Sequence, residues 1–162
     1  MTLKYRRLNS QELQQLEKEF VDFLVINGIA ADDWVAMKEK ELNKANQIID
    51  LFSDVIFEGV VRKVRFLEHI SASSIYCFQL LEKEIQLIGL EDESGTLDFT
   101  QIDFSQQSDK KLPVGLKVFF NKKAYQKDKN QEIFKLMENG AILSNGQLYK
   151  QLSLLYASSQ KG

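Results

Sequence analysis

One cysteine, Cys77, and one histidine, His69, are all that the 162 residues offer of two side chains common at metal and redox sites. A lone thiol cannot form an intramolecular disulfide, and nothing in the chain points to an oxidising compartment. A lone imidazole removes every two-histidine metal site and leaves one candidate base. Long apolar runs are also missing: the longest, such as Phe23 to Ile26, are four residues, far short of the roughly 18 of a membrane span. The first ten residues carry Lys4, Arg6 and Arg7 with no apolar stretch behind them, so no signal peptide is expected and the expected location is the cytoplasm. Glycine-rich phosphate loops are absent, with no Walker motif, no G-x-G-x-x-G and no G-x-S-x-G elbow.

What is present is ordinary globular material. Hydrophobic residues make up 44% and charged residues 27%, with eleven Phe and five Tyr as large apolar side chains. The length suits one core, so a single domain over residues 1–157 with a disordered tail at 158–162 is expected. Net charge is −2 but unevenly placed: residues 1–108 carry 11 Lys and Arg against 19 Asp and Glu, and residues 109–162 carry 10 against 4. All ten cations of the last third are lysines.

Leu8-Asn9-Ser10-Gln11-Glu12-Leu13 has the form of a capping box with a hydrophobic staple, and Asn27-Gly28 supplies a stop, predicting a helix over 10–27. Val35, Leu42, Ala45, Ile49, Phe52, Ile56 and Val60 then recur in steps of three and four. They predict a helical stripe from Asp33 to Val60, capped by Asp32 and broken near Asn43. After Gly59 the pattern becomes β-rich: Val64–Ile70, Ile75–Leu80 and Ile85–Leu90 predict strands joined by hairpin-length turns, the third placed centrally. Leu97–Phe99 alternates before a phase slip near Gln101, and 106–111 with Pro113 predict a loop and a turn. Leu116–Gln126 and Glu132–Met137 predict a third hairpin, and Ser144 to Gln147 a second capping box for a helix over 145–157. The expected fold is α+β, with N-terminal helices and a C-terminal helix packed on a mostly antiparallel sheet of about five strands.

No constellation for chemistry emerges. Glu68 lies beside His69 in a predicted strand and so points to the opposite face, which leaves His69 as a sheet-surface residue. Cys77 sits in Ile75-Tyr76-Cys77-Phe78 and is expected to be inert core. Glu91, Asp92, Glu93, Asp98 and Asp103 lack the ligand spacing of an EF-hand and form a solvated acidic turn. Asp54 and Glu58 share a helix face, yet no Glu-x-x-His accompanies them, so no metal and no cofactor are expected. The basic third stands above background: Lys117, Lys122, Lys123, Lys127 and Lys129 are interleaved with Phe119, Phe120 and Tyr125. On a sheet face this set suits single-stranded nucleic acid, whereas lysines guarding an edge strand are the simpler account.

Four stretches resemble a family of small bacterial proteins known only as a domain of unknown function. They are Lys4-Tyr5-Arg6-Arg7-Leu8, Leu51-Phe52-Ser53-Asp54-Val55, Leu87-Ile88-Gly89-Leu90 and Phe134 to Ala141, and the likeness spans almost the whole chain. It implies no activity and no site residue. The leading expectation is therefore a non-catalytic interaction or scaffold protein, binding a partner protein or itself, with no membrane association. A nucleic-acid-binding module using Lys117, Lys122, Lys123, Tyr125, Lys127 and Lys129 comes second, and a small-molecule pocket assembled from Arg65, His69 and Tyr125 third.

Overall fold

Asn9 starts the first helix as its spacing demands: its side-chain oxygen accepts the Glu12 N–H at 2.8 Å while Glu12 accepts the Asn9 N–H at 2.9 Å. The computed structural model describes residues 2–103 and 115–160. The chain divides into two compact units, Met1–Arg62 and Lys63–Gly162.

The first unit is helical. The expected helix over 10–27 is two segments, α1 Ser10–Gln15 and α2 Glu17–Ile26. Leu16 leaves the helical region, its N–H shared between Glu12 and Leu13 in a tightened turn. Gly28, at φ +75°, ends α2 as predicted: its N–H bonds to Val25 and that of Ile29 to Leu24. The second helical stretch is α3 Ala31–Lys40 and α4 Leu42–Val61. The break falls at Glu41, which closes α3 on Met37 and opens α4 by accepting from Ala45, so Asn43 lies inside a helix and caps nothing. Ala30 occupies the cap position of α3, and Asp32 and Asp33 serve its first turn by charge instead. An aromatic cluster joins α2, α3 and α4. Phe20 meets Trp34 and Phe52 at centroid distances of 5.2 and 4.9 Å, and Phe23 meets Phe52 at 5.3 Å.

The second unit is an antiparallel five-stranded sheet in the order β4-β3-β2-β1-β5, making the protein α+β. Its strands are β1 Phe66–Ile70, β2 Ser74–Leu80, β3 Glu84–Asp92, β4 Leu116–Ala124 and β5 Ile142–Leu143. β3 runs between two neighbours, as its two-sided apolar sequence requires. One face carries Ile75, Cys77, Ile88 and Leu90, covered by Leu148 and Leu152 of the last helix, α6 Gln147–Ser159, and by Phe99. The opposite face carries Gly89, where the Phe119 ring of β4 takes the space of the missing side chain: a Cβ there would lie 2.2 Å from Phe119 Cζ.

Three further expectations are corrected. Glu132–Met137 is not a strand. It belongs to a helix, α5 Lys129–Glu138, which Asp128 caps by accepting the Gln131 N–H at 3.0 Å. Its apolar residues Ile133, Phe134, Leu136 and Met137 satisfy a helical period as well as a strand period, and the local cap decides between them. The fifth strand is instead Ile142–Leu143, paired with β1. Leu97–Phe99 is no strand either: Asp98 caps a short 3₁₀ turn, Phe99–Gln101, at the expected phase slip. For α6, Gly146 at φ +87° holds the cap position, while Ser144 and Asn145 accept the N–H groups of Gly146 and Gln147 in place of a capping box. The loop predicted at 106–111 and the turn at Pro113 lie outside the described residues.

Candidate functional site

His69 is exposed on β1, opposite Tyr76, and its ring faces Gly140, where a Cβ would lie 3.2 Å from His69 Nε2. Arg65 lies just before β1, its carbonyl accepting the Leu80 N–H. Tyr125 follows β4, three strands away, and donates its hydroxyl to the Leu81 carbonyl at 2.8 Å. At about 4.8 Å per strand spacing, β1 and β4 are about 14 Å apart. The structure therefore does not bring Arg65, His69 and Tyr125 together, and His69 lines neither cleft described below.

Cys77 is 1% exposed, and burial, with Glu68 across the strand pair, pushes its thiol up to about 12. The acidic turn is wired internally. Asp92 is buried and accepts from Ser94 Oγ, from Ser94 N–H at 3.0 Å and from Leu97 N–H at 2.8 Å, which hold its carboxyl below the usual range. Glu91 accepts the Tyr76 hydroxyl at 2.9 Å. Among the described residues no three His, Cys, Asp or Glu side chains converge as metal ligands do.

The carboxylates of α4 bind their own chain. Asp54 accepts the backbone N–H groups of Lys4 and Tyr5 at 2.8 and 3.0 Å, and Glu58 accepts Lys4 Nζ at 3.0 Å and the Tyr5 hydroxyl. Ser53, fully buried, accepts the Leu8 N–H at 2.9 Å and donates to Ile49, while Arg7 pairs with Asp50. Asp50, Asp54 and Glu58 stand at i, i+4 and i+8, so the Lys4–Leu8 stretch is laced along one face of a helix. A cleft of about 400 Å³ there is lined by Lys4, Asp54, Val55, Glu58, Gly59 and Arg62.

The lysines of the second unit divide by position. Lys117 and Lys123 share a face of β4 with Phe119, opposite Glu91 and Ile85, and Lys122 points to the other face, opposite Gln86. Lys129 Nζ lies 5.9 Å from the centroid of the Tyr125 ring. Desolvation, followed by the charge of Glu132, pushes the Tyr125 hydroxyl up to about 12.

A groove of about 450 Å³ gathers Lys123 and Lys127 from this set. One wall is a face of α5 in which Asp128, Gln131, Glu132, Lys135, Leu136 and Asn139 recur at helical spacing. Ile85 and Lys123 of the sheet and Gln126 and Lys127 of the connecting turn complete it. Glu132 organises the turn: its carboxylate accepts the N–H groups of Gln126 and Lys127 at 3.0 and 3.4 Å and lies 3.7 Å from Lys123 Nζ. Its charge is thereby engaged, and among the described residues neither Lys127 nor Lys135 has an ion-pair partner. Lys135, Gln131, Glu132 and Asn139 escape the sequence reading because a strand over 132–137 does not put them on one face. The signal that finds them is Asp128 as a cap.

These observations define an α+β protein with a lysine-edged groove between a helix and the end of a sheet. The chain belongs to a family of unknown function, DUF6495, whose model matches residues 1–157. No curated protein and no solved structure matches it. Of the four stretches carrying the family resemblance, Lys4–Leu8 and Leu51–Val55 are hydrogen-bonded to each other. Leu87–Leu90 lies in β3, and Phe134–Ala141 forms the second half of α5 and the turn past Gly140, at φ +112°.

Proposed function

We propose that this chain is a non-catalytic interaction protein of the bacterial cytoplasm, and that it holds an anionic partner protein in the groove along α5. The observation that carries this reading is the pair Lys127 and Lys135, two cations on one groove without a carboxylate partner among the described residues. The groove carries Lys123, Lys127 and Lys135 against Asp128 and Glu132, a net positive charge that favours an anionic partner and whose placement fixes its orientation. With a single cysteine the chain builds no disulfide framework of its own, as is usual for proteins of a reducing compartment, and no helix among the described residues is long and apolar enough to cross a membrane.

Nucleic acid is less well supported as the ligand. Stacking needs exposed rings: Tyr125 is half-buried and tied by its hydroxyl, Phe119 is packed on Gly89 and against Tyr76, and Phe120, which is exposed, lies against Tyr156 on the sheet face opposite Lys117 and Lys123. The test is capture from bacterial lysate at about 50 mM salt, where surface charges are weakly screened, with Lys127→Glu/Lys135→Glu as the control. A partner retained by the native protein and lost by the variant is expected. An identical set of captured proteins for both would refute the reading.

A further inference from the structure

The groove's dimensions and polar groups carry its ligand one step further, on the basis of the reading above. We infer that its occupant is an acidic segment of a partner protein, lying extended along α5 with the pattern acidic-x-apolar-x-acidic. Lys135 stands seven positions along the helix from its cap residue Asp128, a rise of about 10 Å at 1.5 Å per residue, and Lys127 lies one residue before the cap, in the turn. In an extended chain, carboxylates at positions i and i+4 span about 13 Å and point the same way, because strand side chains alternate. Position i+2 then faces the groove as well, where Leu136 and Ile85 are its apolar lining. Gln126 and Asn139 also line the groove, and their side-chain amides make no hydrogen bond among the described residues. Each offers both a donor and an acceptor, the complement of a peptide group, whereas a phosphate ester oxygen leaves the amide oxygen unmatched. Asp128 and Glu132 stand in the same wall. A ligand with sparse charges can place them on the two lysines, but a nucleic-acid strand with a charge at every phosphate meets those carboxylates too.

The test is amide-shift mapping on the full chain with the acetylated, amidated peptide Glu-Ser-Leu-Ser-Glu, its rearrangement Glu-Glu-Ser-Ser-Leu, an oligothymidylate and inorganic phosphate. The first peptide is expected to shift Lys127, Glu132 and Lys135 saturably, and to bind about fivefold more tightly than its rearrangement. Lys127→Glu/Lys135→Glu should weaken it at least about tenfold. Should that variant melt below the native protein, Lys127→Ala and Lys135→Ala take its place, each expected to weaken binding about threefold. Equal affinity for both peptides, or binding that survives the lysine substitutions, overturns the inference. Tighter binding of oligothymidylate or phosphate at the same residues overturns it while leaving the anionic groove standing. Silence of these residues to every anion removes the groove reading as well.

Discussion

Phe119 and Gly89 face each other across the β3 and β4 pair, and the ring lies where any larger residue would put its Cβ. Glycine in a strand interior usually weakens the sheet, and here the cross-strand ring fills the space it leaves. Gly89→Ala is expected to destabilise the protein by about 1–3 kcal/mol, the usual cost of overpacking. In a Phe119→Ala background the same change should be neutral or slightly stabilising, because the clash is gone and alanine costs less entropy than glycine. A double-mutant cycle by urea denaturation measures the coupling. Additive effects would show that the ring and the glycine do not share this space.

The capping box of α1 is an element whose strength depends on pH. The side-chain hydrogen bond from Arg6, followed by the Asn9 N–H, holds Glu12 at about 2, well below an ordinary glutamate near 4.5. A carboxyl depressed in the folded state contributes stability that is complete above its unfolded value and fades as pH falls toward its folded one. Glu12→Gln keeps the box, since glutamine can serve at that position, but loses the charge facing Arg6. The variant should therefore melt below the native protein at neutral pH, and the gap should close as pH falls from about 4.5 toward about 2. A gap that is constant over this window would assign the loss to the hydrogen bond alone. This box is legible because its signals lie within six residues, and so are β2 and β3, whose apolar runs are bounded by polar turns. α5 is not, since Ile133 to Met137 fits two periods and only Asp128 breaks the tie. The groove is illegible for the same reason, being assembled from Ile85, Lys123 and a helix whose apolar pattern also fits a strand. The spacing of Asp54 and Glu58 puts them on one helix face, but their partners lie about fifty positions away, with no local sign of the pairing.

For the molecule as a whole, the expectation of one domain over residues 1–157 is a claim about cooperativity, and the chain carries its own two reporters. Trp34, the only tryptophan, sits against Phe20 in the helical unit. Cys77, the only cysteine, is buried in the sheet unit with its thiol pushed up to about 12. In the folded protein at pH 8 Cys77 should resist a thiol reagent, because both access and thiolate are denied. Once exposed, it titrates near the ordinary value of about 8.5 and reacts at once. The urea dependence of Cys77 labelling thus reports opening of the sheet, and Trp34 fluorescence reports unfolding of the helices. One shared midpoint and one free energy are expected of a single domain. Loss of the Trp34 signal at lower urea than loss of Cys77 protection would instead make the two compact units separate domains. A 62-residue helical unit, burying only about 60% of its unfolded surface, would then be the weaker of the two.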